Sequence, residues 1–316
     1  MIRYSNNVQT LFMKHIGLLF ILILVMSFSY GQKHTLELKL VTNNTYNNVL
    51  NAKSFIHQKI EDKDVSYELT AKGKLSFKVL EQTDSVYNLE AKYGSISLEI
   101  KGEQINFQAD SQDTSSVNPF STLLAKLIGQ PFTVFMYKTG AIKEVKGTES
   151  LFANAFKDIE IPEDKKEQML KQLNKNFGGE AVKNNIEIAT NIFPGRQVAV
   201  QDKWTKSTFL SQLVPGSIQT IFQLTGVSDK EYIISGKAEV KAPDPDKYVT
   251  MNGMDYNYQL SGTFISEIKV DKETGWIKES KMEQTIGGKV FIRENSQMPG
   301  GMVIPMDFKT INIITN

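Results

Sequence analysis

The chain has 316 residues, 36 of them basic and 35 acidic, is 41% hydrophobic and contains no cysteine. A net charge of +1 provides no field that would draw in nucleic acid or an anionic membrane surface. Without a thiol the chain carries neither a disulfide nor the acylated cysteine of a bacterial lipoprotein, and its length suits one large domain or two small ones.

At the N-terminus, Arg3 and Lys14 precede thirteen uncharged residues, Ile16 to Phe28, and then Ser29-Tyr30-Gly31, the kind of site a signal peptidase cuts. The apolar run is shorter than the roughly 20 residues of a membrane helix. Residues 1–31 are therefore expected to be a cleavable export signal, with Met13 as an alternative start. The mature chain, 32–316, is expected in the periplasm or outside the cell, with no transmembrane span and no lipid anchor. Losing the signal leaves 34 basic against 35 acidic residues, still close to neutral.

From Val65 to Val79 every odd position is apolar or glycine and every even one polar, a period of two that predicts a strand with one wet face. At about 3.3 Å per residue it would run roughly 50 Å, so it must bend, most easily at Gly73. Tyr87, Leu89, Ala91 and Tyr93 repeat the pattern; the phase slips at Gly94 and resumes with Ile96, Leu98 and Ile100, which predicts a bulge or tight turn there. Loops are expected at Asp110 to Asn118 and at Ala242 to Asp255.

Helical spacing appears next. Pro119 opens a stripe of Phe120, Leu123, Leu124, Leu127 and Ile128 that Gly129 closes, and its density of apolar residues predicts deep burial. Between Thr148 and Ile192 three further helices are predicted. Their stripes are Leu151, Phe152, Ala155, Phe156 and Ile159; then Met169, Leu170, Leu173 and Phe177 after Pro162 with Glu163 and Asp164; then Val182, Ile186 and Ala189. Gly178-Gly179 is expected to end the middle one in a left-handed conformation.

The second β-rich stretch holds a strand with Tyr232, Ile234, Ala238 and Val240, and a long one in which Tyr256, Tyr258, Leu260, Gly262, Phe264, Ile268 and Val270 share the even phase. Thr139-Gly140-Ala141-Ile142-Lys143-Glu144 and Thr274-Gly275-Trp276-Ile277-Lys278-Glu279 are two copies of Thr-Gly-x-Ile-Lys-Glu, each between strands, with the glycine placed for a tight hairpin. The repeat suggests a degenerate duplication: β half 34–147, helical block 148–193, β half 197–316. The expected fold is α+β, mainly antiparallel β: a long curved sheet, a half-barrel or cradle, built as a single domain from two similar β halves, with amphipathic helices packed in the hollow. A closed barrel with peripheral helices is the alternative.

Catalytic chemistry is hard to find. His34 and His57 are the only histidines after the signal, and without cysteine a metal site would have to be largely carboxylate. Both read as solvated strand residues. No Gly-x-Ser-x-Gly, His-Glu-x-x-His, phosphate loop or dinucleotide fingerprint occurs. Asp244-Pro245-Asp246 and Asp271 with Glu273 read as turns rather than calcium loops. Phe193-Pro194-Gly195-Arg196 leading to Trp204 reads as a rigid re-entry with Trp204 in the core, and Met298-Pro299-Gly300-Gly301-Met302 as a loop. No catalytic residue, metal or cofactor is expected.

The segment ending in Gly31-Gln32, the opening strand Leu36-Glu37-Leu38-Lys39-Leu40, the stretch from Phe193-Pro194 to Asp202-Lys203-Trp204, the Thr274-Gly275-Trp276-Ile277 turn and the closing Pro305-Met306 strand together resemble the exported Bacteroidota family called domain of unknown function 6263. Gln201 stands where that resemblance leads one to expect glycine. The family carries no known activity, so the resemblance implies compartment and taxon and transfers no site residue.

The function expected is a non-catalytic binding or carrier protein for a lipid or other apolar or amphipathic molecule. Candidate lining residues are Leu123, Leu127, Met169, Leu173, Phe177, Tyr256 and Tyr258. The alternative is a cell-envelope structural or protein-interaction module with a solid interior.

Overall fold

A computed structural model describes residues 31–113, 118–157, 166–167, 170–171, 174, 178–210, 216–240, 246, 248–251, 253–296 and 298–316. Residues 1–30 of the segment expected to be an export signal, together with Met169, Leu173, Phe177 and Asp244-Pro245, lie outside the described residues. In chain order the first half contains β1 (His34–Thr35), β2 (Thr45–Ile60), β3 (Lys63–Gln82), β4 (Val86–Gly102), β5 (Asn106–Asp110), α1 (Pro119–Leu127), β6 (Pro131–Tyr137) and β7 (Ile142–Lys146). Next come α2 (Thr148–Phe156) and α3 (Gly179–Thr190). The second half contains β8 (Gln197–Val198), β9 (Lys203–Leu210), β10 (Gly216–Val227), β11 (Glu231–Val240), β12 (Val249–Met251), β13 (Met254–Asp271), β14 (Ile277–Ile292) and β15 (Met302–Thr315).

Thirteen strands form one open antiparallel sheet in the order β7-β6-β4-β3-β2-β15-β14-β13-β11-β10-β9, with β5 beside β4 and β12 beside β13; β1 and β8 pair separately. The two halves join where the first long strand meets the last, β2 against β15. In both halves the meander runs the same way across the sheet, and both Thr-Gly turns fall on the hairpin that follows a short side strand: β6 to β7 after β5, and β13 to β14 after β12. Gly140 and Gly275 have φ of +82° and +72°, as those hairpins require.

Strand phases agree with the sequence pattern. β3 is 20 residues long, and the ladder to β4 shifts between Lys74 and Leu75, because Lys74 faces Ser95 while Leu75 faces Tyr93, leaving Gly94 as the extra residue. The bend thus comes from the partner strand, one step from Gly73. A second shift, between Val79 and Glu81, leaves Leu80 pointing out, 40% exposed.

Both outer strands meet α3. The Ile142 N–H donates to Glu187 Oε1 (2.7 Å) and Thr190 Oγ1 to the Gly140 carbonyl (2.6 Å), while Asn191 Nδ2 reaches the Ser207 carbonyl of β9 (3.4 Å). The Trp204 indole donates to Ile192 O (2.7 Å), so Trp204 and Phe193 are core residues and Arg196 stays at the surface. One helix therefore braces the two edges that the sheet leaves unpaired.

The chain entering β2 crosses one end of the sheet. Leu36, Leu38 and Leu40 are each at most 3% exposed. The Leu38 N–H donates to Lys138 O and the Lys39 N–H to Thr274 O, next to the two Thr-Gly turns, and the Tyr87 hydroxyl bridges Leu38 O and the Leu40 N–H. The predicted strand at Leu36–Leu40 is a correction: ladder pairing covers His34–Thr35 alone, and the leucines are buried as a plug stitched to turns.

Three other expectations are corrected. Gly178 has φ −71° and caps the start of α3 rather than ending a helix left-handed, while its backbone lies against Asn174. Phe120 of α1 is 50% exposed, against the Phe107 ring, although Leu123 and Leu127 are buried as the stripe predicts. His34 is not solvated: it is 9% exposed beside the Tyr232 ring, and burial, then the Lys272 charge, hold its pKa below the ordinary 6.5.

Gln201 has φ +76°, in the tight turn that leads into β9, which explains why glycine is expected there. Relief of the left-handed strain, about 1–2 kcal/mol, exceeds the roughly 0.5–1 kcal/mol that a glycine loses to chain entropy. Gln201→Gly is expected to raise the melting temperature by about 1–3 °C, readable by scanning calorimetry.

Candidate functional site

The inner face of the sheet changes character along its strands. On β3 the dry-phase residues Phe77 and Val79 are fully buried, while Leu75, Ala71, Leu69 and Tyr67, on the same face, are only half-buried. On β4 the step is the same: Tyr87, Leu89 and Ala91 are closed off, Ile96 and Leu98 are not. Across the sheet, Tyr256 and Tyr258 of β13 and Ile304 and Met306 of β15 are also half-buried against the core. Toward one end of the strands this face is therefore solid, and toward the other it forms an apolar wall in which half-exposed side chains stand among buried ones such as Leu260, Val290 and Phe308.

Phenols on this wall are poor acids. Burial pushes Tyr93, packed on Phe132, up to about 12, and raises Tyr67 and, with the neighbouring Tyr256, Tyr258. The Tyr256 and Tyr258 rings stack at 6.1 Å. Of the residues named from the sequence, Tyr256 and Tyr258 stand on this wall. Leu123 and Leu127 face the core from α1, which packs on β4, β5 and α2 rather than on β13. Leu170, the described member of the middle helix's stripe, packs half-buried against the same core.

A second hollow, about 500 Å³, lies on the opposite face, between Phe55, His57, Ser66, Lys101, Asp307 and Lys309. Here His57 Nδ1 is hydrogen-bonded to Ser66 Oγ (2.9 Å), with Asp64 3.5 Å from Nε2. Sequence reading had paired none of these, because the contact is made across strands. The trio is weak as a catalytic arrangement: His57 is 45% and Asp64 71% exposed, and Ser66 stands mid-ladder with its main chain engaged against β2. Asp271 is a turn residue, its Oδ1 accepting from Thr274 N and Oγ1 (both 2.8 Å). Among the described residues no cluster of His, Asp or Glu is arranged to hold a metal, and no helix is long and apolar enough to cross a membrane.

Polar side chains on the core-facing side of the sheet were missed from the sequence. Thr220 and Ser266 are 5% and 3% exposed, and Lys206 points inward from β9. Their signal was a polar residue in the apolar phase: Ser266 between Phe264 and Ile268, Thr220 between Ile218 and Phe222.

Comparison with known proteins places the fold. A solved structure describing lipid–protein interactions in lipovitellin is similar over 88% of this chain, with a TM-score of 0.50 and 12% identity. This chain spans about a quarter of its length, 25%. An outer membrane channel from Pseudomonas putida F1 and OprD from Pseudomonas aeruginosa align over 91% and 90% of this chain and 98% of each of theirs, at 6% identity and TM-scores of 0.22 and 0.24. No curated protein matches by sequence. The profile of a family described as "Family of unknown function (DUF6263)" matches residues 84–277.

Proposed function

The chain belongs to that family of unknown function, whose description supplies no activity, and from its geometry we propose that it is a non-catalytic, exported binding or carrier protein for an apolar or amphipathic ligand such as a lipid. The observation that carries this reading is the half-buried wall, with Leu69, Ile96, Tyr258, Ile304 and Met306 all on the core-facing side of the sheet and all partly accessible. A folded chain that had only to be stable would close such a surface. The fold likeness to lipovitellin, a protein described by its lipid interactions, supports the same class of ligand. In this reading the helices lie on the concave side and the charged Lys and Glu face outward.

Purified protein extracted with organic solvent is expected to release lipid, and stripped protein to rise in melting temperature with added fatty acid or phospholipid. Leu69→Asp places a charge on the wall at a half-exposed position. It is expected to weaken binding at least about ten-fold, since a desolvated, unpaired carboxylate is penalised by far more than 1.4 kcal/mol. No extractable lipid together with no thermal shift would leave the alternative, an envelope structural or interaction module, which the fully buried end of the core favours.

A further inference from the structure

Between α3 and the inner faces of β9, β10 and β13 lies a recess bordered by Asn191, Lys206, Thr220, Phe264 and Ser266. Its enclosed space is about 10 Å³, room for one oxygen-sized group. Ser266 Oγ and Asn191 Oδ1 are buried without a hydrogen-bond partner, although their residues are only 3% and 8% exposed. No ion pair or hydrogen bond joins Lys206 to another described residue, and its half-buried ammonium is held below the ordinary lysine range by desolvation. Buried polar atoms without partners are uncommon and call for a physical explanation.

The register explains why these groups meet. Lys206, Thr220, Ala238 and Phe264 face one another in a single row across β9, β10, β11 and β13. In the adjacent row Gly236 stands between Ser266 and Phe222, and having no side chain it leaves Ser266 Oγ directed into the gap. From Phe264 the dry phase of β13 continues through the fully buried Leu260 to the half-buried Tyr258. Those six residue-to-residue steps span about 20 Å, comparable to an extended long alkyl chain.

Building on the carrier reading, we infer that this recess seats the carboxylate of a long-chain acid, one oxygen entering it and the charge resting on Lys206. Lys206 supplies the cation, and Ser266 and Thr220 supply hydroxyl donors. One unpaired ammonium and room for one oxygen select a singly charged, planar head over a phosphate. Asn191 Oδ1 accepts from the Lys206 ammonium once the acid fixes it. The competing explanation is that an inward lysine on the edge strand β9 merely discourages strand pairing with other molecules.

The test uses palmitate, methyl palmitate and hexadecanol as competitors of a hydrophobic fluorescent probe bound to the purified protein. Palmitate is expected to bind about ten-fold tighter than its ester, as a charge-assisted hydrogen bond warrants. Lys206→Met should remove that preference, and Lys206→Arg should keep it. Ser266→Ala, a second variant that leaves the lysine in place, should weaken palmitate several-fold and by more than it weakens the ester. Equal binding of all three competitors, or a Lys206→Met protein that still prefers palmitate, overturns the carboxylate seat while the carrier reading stands. Failure of all three to displace the probe overturns both.

Discussion

Alanine at Gly140 or at Gly275 is expected to destabilise the protein by about 2–5 kcal/mol, roughly twice the effect of alanine at Gly129. All three glycines have φ between +72° and +82°, so each substitution brings the left-handed penalty of about 1–2 kcal/mol. They differ in what a Cβ would meet. At Gly129 nothing lies within 4 Å; at Gly140 it would overlap the Thr190 carbonyl, and at Gly275 the Glu37 carbonyl. Both obstacles are backbone. Thr190 is held by its own bond to Gly140, and Glu37 by the plug that Leu38 and Lys39 stitch to the turns. Relief therefore requires α3 or the plug to shift, which adds an overpacking cost of about 1–3 kcal/mol. Urea unfolding of the three variants decides the matter: equal losses of midpoint at all three positions would mean that the close approach contributes nothing.

Truncation of Trp276 should be comparably damaging. Trp276→Ala is expected to cost about 3–5 kcal/mol, as large aromatic deletions in cores do. The side chain is 2% exposed, its ring centroid lies 5.3 Å from Tyr46 and 5.5 Å from Phe77, and its indole donates to Asn47 O at 2.8 Å. It thus ties the second Thr-Gly turn to the entry of β2, where the two halves of the sheet meet. Trp276→Phe keeps most of the packing and orphans the Asn47 carbonyl, so a loss of about 1–3 kcal/mol is expected. Should Trp276→Ala unfold at the same urea concentration as the parent, the turn would be a surface hairpin and its recurrence in the two halves would have no structural meaning.

Much of the fold was legible because strand burial has a period of two that a sequence displays directly. The slip at Gly94 was visible as a broken alternation, whereas the left-handed backbone of Gln201 was not: only the family resemblance led one to expect glycine there. The wall residues Tyr256 and Tyr258 were placed correctly in phase, yet nothing in the pattern distinguished them from Phe264 or Val270, which are buried. That distinction depends on what stands opposite each strand segment. Likewise Leu36, Leu38 and Leu40 alternate like a strand because their buried side matches one, while their backbones bond to turns distant in sequence.

Local chemistry, then, was settled within the chain itself: which side of each ribbon is oily, where a helix begins, which turns need a residue without a side chain. Those choices depend on neighbours two to four positions away, within reach of any linear pattern. Tertiary structure alone decided that β2 lies beside β15, that one helix braces both edges, and that Lys206, Ser266 and Asn191 converge on one recess. Such meetings depend on register across strands tens of residues apart, and a ladder shifted by one residue would have turned each of these side chains to the opposite face.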